Sequence, residues 1–336
     1  MDTKIQLTKY SQKSIEDMAN LCPPEQATIF CAANGLDQGA VVECLRDRGF
    51  CIIRGLFSET LLDQVIVRAN FYLSRPAIAG APGYWKKDYQ KKLVNPFTLG
   101  GPTLDVLLDE RVIDIIEHVL GSECILAETM LKFDIATPYV YFPMHSDFAI
   151  GWAKSTKIKR VLNADDLQEA VGIGGALYLD DTDEGAFAYC DGTHFLMSPK
   201  GQKLTSYSKA EQSIIQSRKV CCTGNRGDLV LFDDRGFHGP DQPSKKDRTV
   251  ILLDYFSVDK IGRLQVSPMP IWSNDIANMS PKQSRVAGVG AQYMVDPTEY
   301  THTNFRKTFY YRLMSYFLSI AYFSQHLKMK LKNWIN

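Results

Sequence analysis

The chain predicts a mainly β core with helices on its N-terminal side and a helical extension after it. Three observations carry this reading. Residues 1–124 hold three apolar helical patterns, residues 125–260 hold six short apolar or alternating runs broken by Gly, Asp or Pro, and no glycine-capped β-α-β alternation joins them. Runs of that length and spacing signal a β-sandwich or barrel. We read residues 1–336 as one domain, with a mostly helical part (1–124), the β core (125–260) and a C-terminal extension (261–336).

The elements follow in order. LDQGAVVECLRDRG (36–49) places Val41, Val42 and Leu45 at helical spacing and closes on Gly49, which tolerates a left-handed C-terminal cap. FCIIRG then reads as a short buried strand. Ser58 and Glu59 open a second helix, SETLLDQVIVRANFYL, whose apolar face holds Leu61, Leu62, Val65, Ile66 and Val67. A third helix is expected through TLDVLLDERVIDIIEHVLG, ending at Gly121. Between the last two, APGYWKKDYQKKLVNPF is rich in turn formers, aromatics and lysines, and reads as a surface loop able to reach toward a site. The six β runs are ILAETMLKFD, IGGALYLDD, AFAYCDG, KVCCTG, DLVLFDD and TVILLDYFSV. GIGG (172–175) is not a dinucleotide loop, because it leads into strand-like ALYL rather than a helix. The extension is Pro-rich and then predicts a long helix from Asn304. From Tyr300 onward there is no Asp or Glu, whereas Arg306, Lys307, Arg312, Lys328, Lys330 and Lys332 are basic. Such a helix suits an anionic membrane surface; the alternative is a helix packed on the sheet with its charges solvated.

Composition excludes some functions. Lys plus Arg and Asp plus Glu are 38 each, so no global field attracts nucleic acid. The first twenty residues lack the apolar segment of a secretory signal, and no uncharged apolar run reaches the roughly 18 residues of a membrane span. Eight cysteines show no C-x-x-C pair, which predicts reduced, mostly buried thiols. A cytoplasmic protein is expected, membrane-peripheral if the basic helix binds lipid.

FPMHSDFAIGW (142–152) contains the chemistry. In a strand His145 and Asp147 would share a face, so an imidazole nitrogen and a carboxylate oxygen could converge on one cation. A third ligand is expected from another strand, and His238 qualifies, closing GDLVLFDDRGFHGP. Two imidazoles and one carboxylate leave three open positions on non-haem Fe(II). Zinc is the competitor, but its H-E-x-x-H signature is absent. Arg248 opens the next strand run and is the residue there able to hold a carboxylate bidentately, which suggests 2-oxoglutarate.

Over roughly residues 40–258 the chain resembles the phytanoyl-CoA dioxygenase family of Fe(II)- and 2-oxoglutarate-dependent oxygenases. RDRGFCIIRGLFSETLLDQV, MHSD, ALYLDDTDEGAFAYCDGTH, GDLVLFDDRGFHGP and DRTVILLDYF, in this order, carry the resemblance. It implies a double-stranded β-helix (jelly roll, cupin-like), with His145, Asp147 and His238 as iron ligands and Arg248 as the 2-oxoglutarate clamp. Lys92, with Lys91 beside it, is the nearest match to a lysine that contacts 2-oxoglutarate in some relatives. Pro240 stands where relatives often have a hydroxyl, implying a second contact from elsewhere, and Ala176 where many have tryptophan, implying a roomier or differently filled pocket. The segment 152–171, longer than usual, carries Lys154, Lys157, Lys159 and Arg160 and reads as a substrate lid. His194 is expected to make a structural hydrogen bond; His118, His302 and His326 are bystanders.

The resemblance implies oxidation of an unactivated C–H bond of a small or medium-sized metabolite by O2, with release of succinate and CO2. An intact Asp147 favours hydroxylation, although desaturation, demethylation and oxidative cyclisation use the same ligands. Two alternatives stand beside it: a membrane-peripheral, lipid-modifying oxygenase, and a non-catalytic β-helix binding protein. Substrate and oligomeric state are not legible.

Overall fold

The computed structural model describes residues 14–33, 35–74, 84–94, 96–148, 162–196, 203–262, 271–289 and 320. Among them, eleven strands form two facing sheets. The larger runs β1 (Ile29–Cys31), β2 (Phe50–Arg54), β9 (Leu229–Asp233), β6 (Gly172–Tyr178), β11 (Arg248–Ser257), β5 (Cys124–Asp134), β4 (Gln90–Val94) and β3 (Tyr84–Lys87), in that spatial order. The smaller is β10 (His238–Pro240), β7 (Thr182–Cys190) and β8 (Lys219–Gly224). All pairings are antiparallel except β1 with β2.

Alternation along each strand sorts its side chains between two environments. On β11, Ile251, Leu253 and Tyr255 point outward into a core shared with the helices. Val250 joins an inner cluster, between the sheets, with Phe50, Ile52, Tyr178, Phe187, Tyr189 and Phe232. Tyr178 ties the sheets together: its hydroxyl donates to the Cys222 carbonyl at 2.7 Å and accepts from the Phe187 amide at 3.0 Å.

The helices cover the outer face. α1 (Ile15–Ala19), α2 (Gln38–Arg48), α3 (Glu59–Ser74), α4 (Pro102–Leu107) and α5 (Glu110–Leu120) precede the core strands. α6 (Lys209–Ser217), α7 (Val258–Ile261), α8 (Ser273–Asn278) and α9 (Pro281–Ala287) come later. Gly49 ends α2 at φ 84°, a left-handed cap that any side chain would strain. On α5, Val112, Ile113, Ile115, Ile116, Val119 and Leu120 are buried, each worth roughly 1.5–3 kcal/mol relative to exposure.

Two sequence expectations change. The third helix is two helices: Leu108 leaves helical geometry, and Asp109 caps α5 through a 2.9 Å bond from the Arg111 amide. The lysine-rich loop is a hairpin, β3–β4, because β4 pairs with β5 along Gln90 to Val94. Four cysteines are buried, and Cys22 and Cys31 are exposed. Among the described residues no helix is long and apolar enough to cross a membrane. The predicted long C-terminal helix lies outside the described residues apart from Ile320.

Candidate metal centre and active-site cavity

β9 ends in a turn that aims His238. Arg235 grips the buried Asp233 carboxylate through Nη2 (2.6 Å) and Nε (2.9 Å), and donates from Nη1 to the Leu167 carbonyl. Burial alone would raise the Asp233 pKa; the guanidinium outweighs it and holds the carboxyl below its usual range. Gly236 has no room for a side chain, since a Cβ there would sit 1.9 Å from the Tyr189 hydroxyl. Its carbonyl lies 3.0 Å from His238 Nδ1. A carbonyl can only accept, so Nδ1 carries the proton and Nε2 turns its lone pair toward the cavity.

The His145–Asp147 segment is a loop, not the strand its spacing suggested. It is held by single bridges: the backbones of His145 and His238 exchange hydrogen bonds of 2.9 and 2.8 Å, and the Asp147 amide donates to the Asp234 carbonyl. The buried Ser146 hydroxyl lies within 2.8 Å of the Phe148 carbonyl and 3.0 Å of the Arg235 carbonyl, locking this loop to the β9 turn. The consequence is convergence. His145 Nε2 is 3.5 Å from Asp147 Oδ1, His238 Nε2 is 3.3 Å from Asp147 Oδ2, and donor atoms of all three lie within 4.8 Å of one another. Donors about 2.1 Å from an ion and at right angles lie about 3 Å apart, so the separations suit a three-ligand facial site. Burial would push Asp147 up, but the two imidazoles beside it outweigh burial and hold its carboxyl well below the usual range. It stays a ligand-competent carboxylate.

These three residues line one wall of a cavity of about 370 Å³ between the sheets. Phe187 and Phe232 form apolar walls, and both Ala176, where the resemblance implied a roomier or differently filled pocket, and Pro240 line it. The polar inner face of β4, β5 and β11 also lines it, with Gln90 and Lys92, Glu128, Lys132 and Asp134, Arg248 and Asp254. Lys92 therefore reaches the cavity from a strand, while Lys91 stacks outside on Phe133. Arg248 also lies in the cavity and is 6 % exposed. It is already paired, Nη2 to Asp134 Oδ2 at 2.5 Å, and Nε is buried with no partner. The Tyr141 hydroxyl and His145 Nδ1 are likewise buried without a hydrogen bond. Burial, and next the Asp134 carboxylate, raise the Tyr141 pKa above the ordinary phenol value, so it is a neutral donor.

Buried donors left unmade each cost about 1–3 kcal/mol. Grouped in one cavity, they fit a ligand rich in acceptor oxygens. A wider groove of about 710 Å³ lined by Arg68, Gly100, Trp272 and Asp275 lies elsewhere, but the two groups of metal-type donors found among the described residues, His145–Asp147–His238 and Asp147–Asp234–Asp254, share Asp147 at the inter-sheet cavity.

Sequence reasoning missed Gln90, Lys132, Asp134 and Tyr141. For Lys132 and Asp134 the signal was present in ILAETMLKFD, where they fall with Glu128 on one face of an otherwise apolar strand. His194 makes the expected structural bond, Nε2 to the Arg46 carbonyl at 3.0 Å. Lys154, Lys157, Lys159 and Arg160 lie outside the described residues, as do His302 and His326.

Solved structures share this architecture. EctD from S. alaskensis with bound Fe superposes with a TM-score of 0.53 at 17 % identity, covering 71 % of this chain and 83 % of that one. The same protein with 2-oxoglutarate and 5-hydroxyectoine gives 0.51 at 16 %, covering 77 % and 87 %. The epimerase SnoN in complex with Fe3+, alpha ketoglutarate and nogalamycin RO gives 0.50 at 15 %, covering 66 % and 84 %. The fold is a cupin-like double-stranded β-helix. No family model and no curated protein matches the chain, so the narrower resemblance to the phytanoyl-CoA dioxygenase family rests on its motifs alone.

Proposed function

We propose that the chain is an Fe(II)- and 2-oxoglutarate-dependent oxygenase that oxidises a C–H bond of a small or medium-sized metabolite. The observation that carries this is the meeting of His145, Asp147 and His238 around one point, in a cavity that also contains Arg248 with an unpartnered Nε. On this reading residues 125–260 are the catalytic core of a single domain, of the phytanoyl-CoA dioxygenase kind that its motifs resemble.

His145, Asp147 and His238 hold the metal, and Gly236 fixes the proton of His238 so that Nε2 stays available. Arg248 holds the far carboxylate of 2-oxoglutarate, with Lys92 as a further cation on the same wall. Pro240 offers no hydroxyl, and the neutral Tyr141 hydroxyl is the donor placed to take its role. Once held there, ferrous iron with 2-oxoglutarate supplies dioxygen activation, with release of succinate and carbon dioxide and oxidation of the substrate. The walls of Phe187 and Phe232 exclude water from the reacting centre. A cavity of about 370 Å³ is at the small end of the range of ligand pockets, roughly 300–1,000 Å³, which favours a metabolite over a polymer. Asp147, intact as a ligand, favours hydroxylation. That EctD and SnoN are solved with iron and 2-oxoglutarate or alpha ketoglutarate bound on the same fold supports the reading.

The test is anaerobic addition of Fe(II) and then 2-oxoglutarate, watching for a weak visible charge-transfer band. The band is expected in the wild type and absent in His145→Ala. No band, and no succinate release with any of a panel of small metabolites, overturns the proposal.

A further inference from the structure

Arg248 cannot act as a lone cation. Asp134 is its direct partner in the β11–β5 register, both side chains are buried, and Nη2 lies 2.5 Å from Oδ2. Gln90, opposite Asp134 on β4, donates to the other carboxylate oxygen. The arginine and the aspartate cancel, so an incoming carboxylate would meet a neutral pair with a negative charge at its edge. Such a pocket repels the ligand it is meant to hold unless another cation faces it.

Beside Lys92 on the same wall, Lys132 is the cation on the strand of Asp134 itself. It lies two residues before Asp134 on β5, hence on the same inner face, and it lines the same cavity. Its Nζ lies 5.4 Å from the Phe142 ring centroid and makes no hydrogen bond or ion pair with another described residue. Lys92 stands directly opposite it on β4, and like charges facing each other across a ladder are unfavourable.

We propose that Lys132 supplies the positive charge that lets this pocket accept the far carboxylate of 2-oxoglutarate, because Asp134 has already neutralised Arg248. The inference rests on the oxygenase reading and extends it to how the co-substrate is selected. Arg248, Lys132, Asp134 and the bound carboxylate are two cations and two anions, so this group of side chains is neutral when loaded and carries one positive charge without the carboxylate. Burial depresses the Lys132 ammonium, and Lys92 and Arg248 push the same way against Asp134 and Asp254, as expected of a cation awaiting a counter-charge.

The experiment is calorimetric titration of 2-oxoglutarate into Mn(II)-loaded protein, anaerobically, with Mn(II) affinity measured separately for each variant. Lys132→Met is expected to weaken 2-oxoglutarate at least tenfold and leave Mn(II) affinity unchanged, and Lys132→Arg to stay within about threefold of wild type. Lys132→Met with Asp134→Asn should recover most of the loss, since Arg248 then acts unopposed. Methionine keeps the stem of lysine and buries no charge, so the variant should melt no lower than wild type. Wild-type-like binding by Lys132→Met, or a double variant as weak as the single, overturns the inference and leaves the oxygenase reading standing. A wild type that binds Mn(II) but not 2-oxoglutarate removes the co-substrate reading, and the inference with it.

Discussion

Replacing Arg248 with methionine strands a buried carboxylate. Asp134 is 7 % exposed and Arg248 6 %, and they share a 2.5 Å contact. Breaking a buried pair by removing one partner typically costs about 3–5 kcal/mol, because the remaining charge is left uncompensated. Gln90 still donates to Asp134, and Lys132 still acts on it from the same strand, so the lower end, about 3 kcal/mol, is expected at pH 7. At roughly 2–4 °C per kcal/mol this is a fall in Tm of roughly 6–12 °C. The sign with pH follows from Asp134. Burial would raise its pKa, but Arg248, Lys132 and Gln90 together lower it. In the wild type it therefore contributes stability that is present above its unfolded pKa of about 3.9 and lost as pH falls through the lower, folded value. In Arg248→Met the burial effect gains ground, the pKa rises, and protonation relieves the penalty. The stability gap between the two proteins should be widest near neutrality and close as pH falls toward about 4. Pairing Arg248→Met with Asp134→Leu removes both charges and should return to within about 1 kcal/mol of wild type, the residue being the orphaned Gln90 amide. Urea unfolding of the three proteins at pH 7 and pH 4.5 decides it. A single variant that loses under about 1 kcal/mol, or a double variant no better than the single, refutes the argument that this pair is a buried charge couple.

Three further outcomes follow. His238→Ala should abolish stoichiometric Co(II) binding, read from the visible d–d spectrum, and a spectrum matching wild type would remove His238 from the centre. Tyr178→Phe leaves the buried Phe187 amide without its 3.0 Å acceptor and should cost about 1–3 kcal/mol in denaturant titration; an unchanged midpoint would mean the inter-sheet tie contributes nothing. Gly174→Ala would place a Cβ 2.3 Å from Phe232 and 2.5 Å from Asp234 Oδ1. Overpacking there should cost about 1–3 kcal/mol and push Phe232 into the cavity it lines, weakening 2-oxoglutarate binding in the same calorimetric assay.

Much of the β core was legible because its strands are long and periodic. β5, β6, β7, β8, β9 and β11 all fall on runs read from sequence, and α2 ends at Gly49 as its pattern requires. β1 and β10 were not legible, since three residues carry no measurable period. The β3–β4 hairpin was read as a loop for a different reason. Its lysines make it locally polar, and what holds it is pairing to β5, a contact 44 residues along the chain for Gln90 and Asp134. The break between α4 and α5 was hidden because TLDVLLDERVIDIIEHVL keeps an apolar character across it, and Asp109 acts as a cap only once Leu108 has left the helix.

The residue types, their order and their local periods were set by the sequence alone: two imidazoles, a carboxylate and a guanidinium, distributed over segments that could only be strands, turns or capped helices. Local physics suffices there, because side-chain alternation and capping depend on neighbours a few residues away. Only the tertiary structure decided that the His145 loop and the β9 turn share a wall. It also decided that Arg248 faces Asp134 and that Lys132 joins them in one cavity. Those facts depend on the register between strands distant in sequence, and on burial, which gives a charge its weight by removing the water that would screen it.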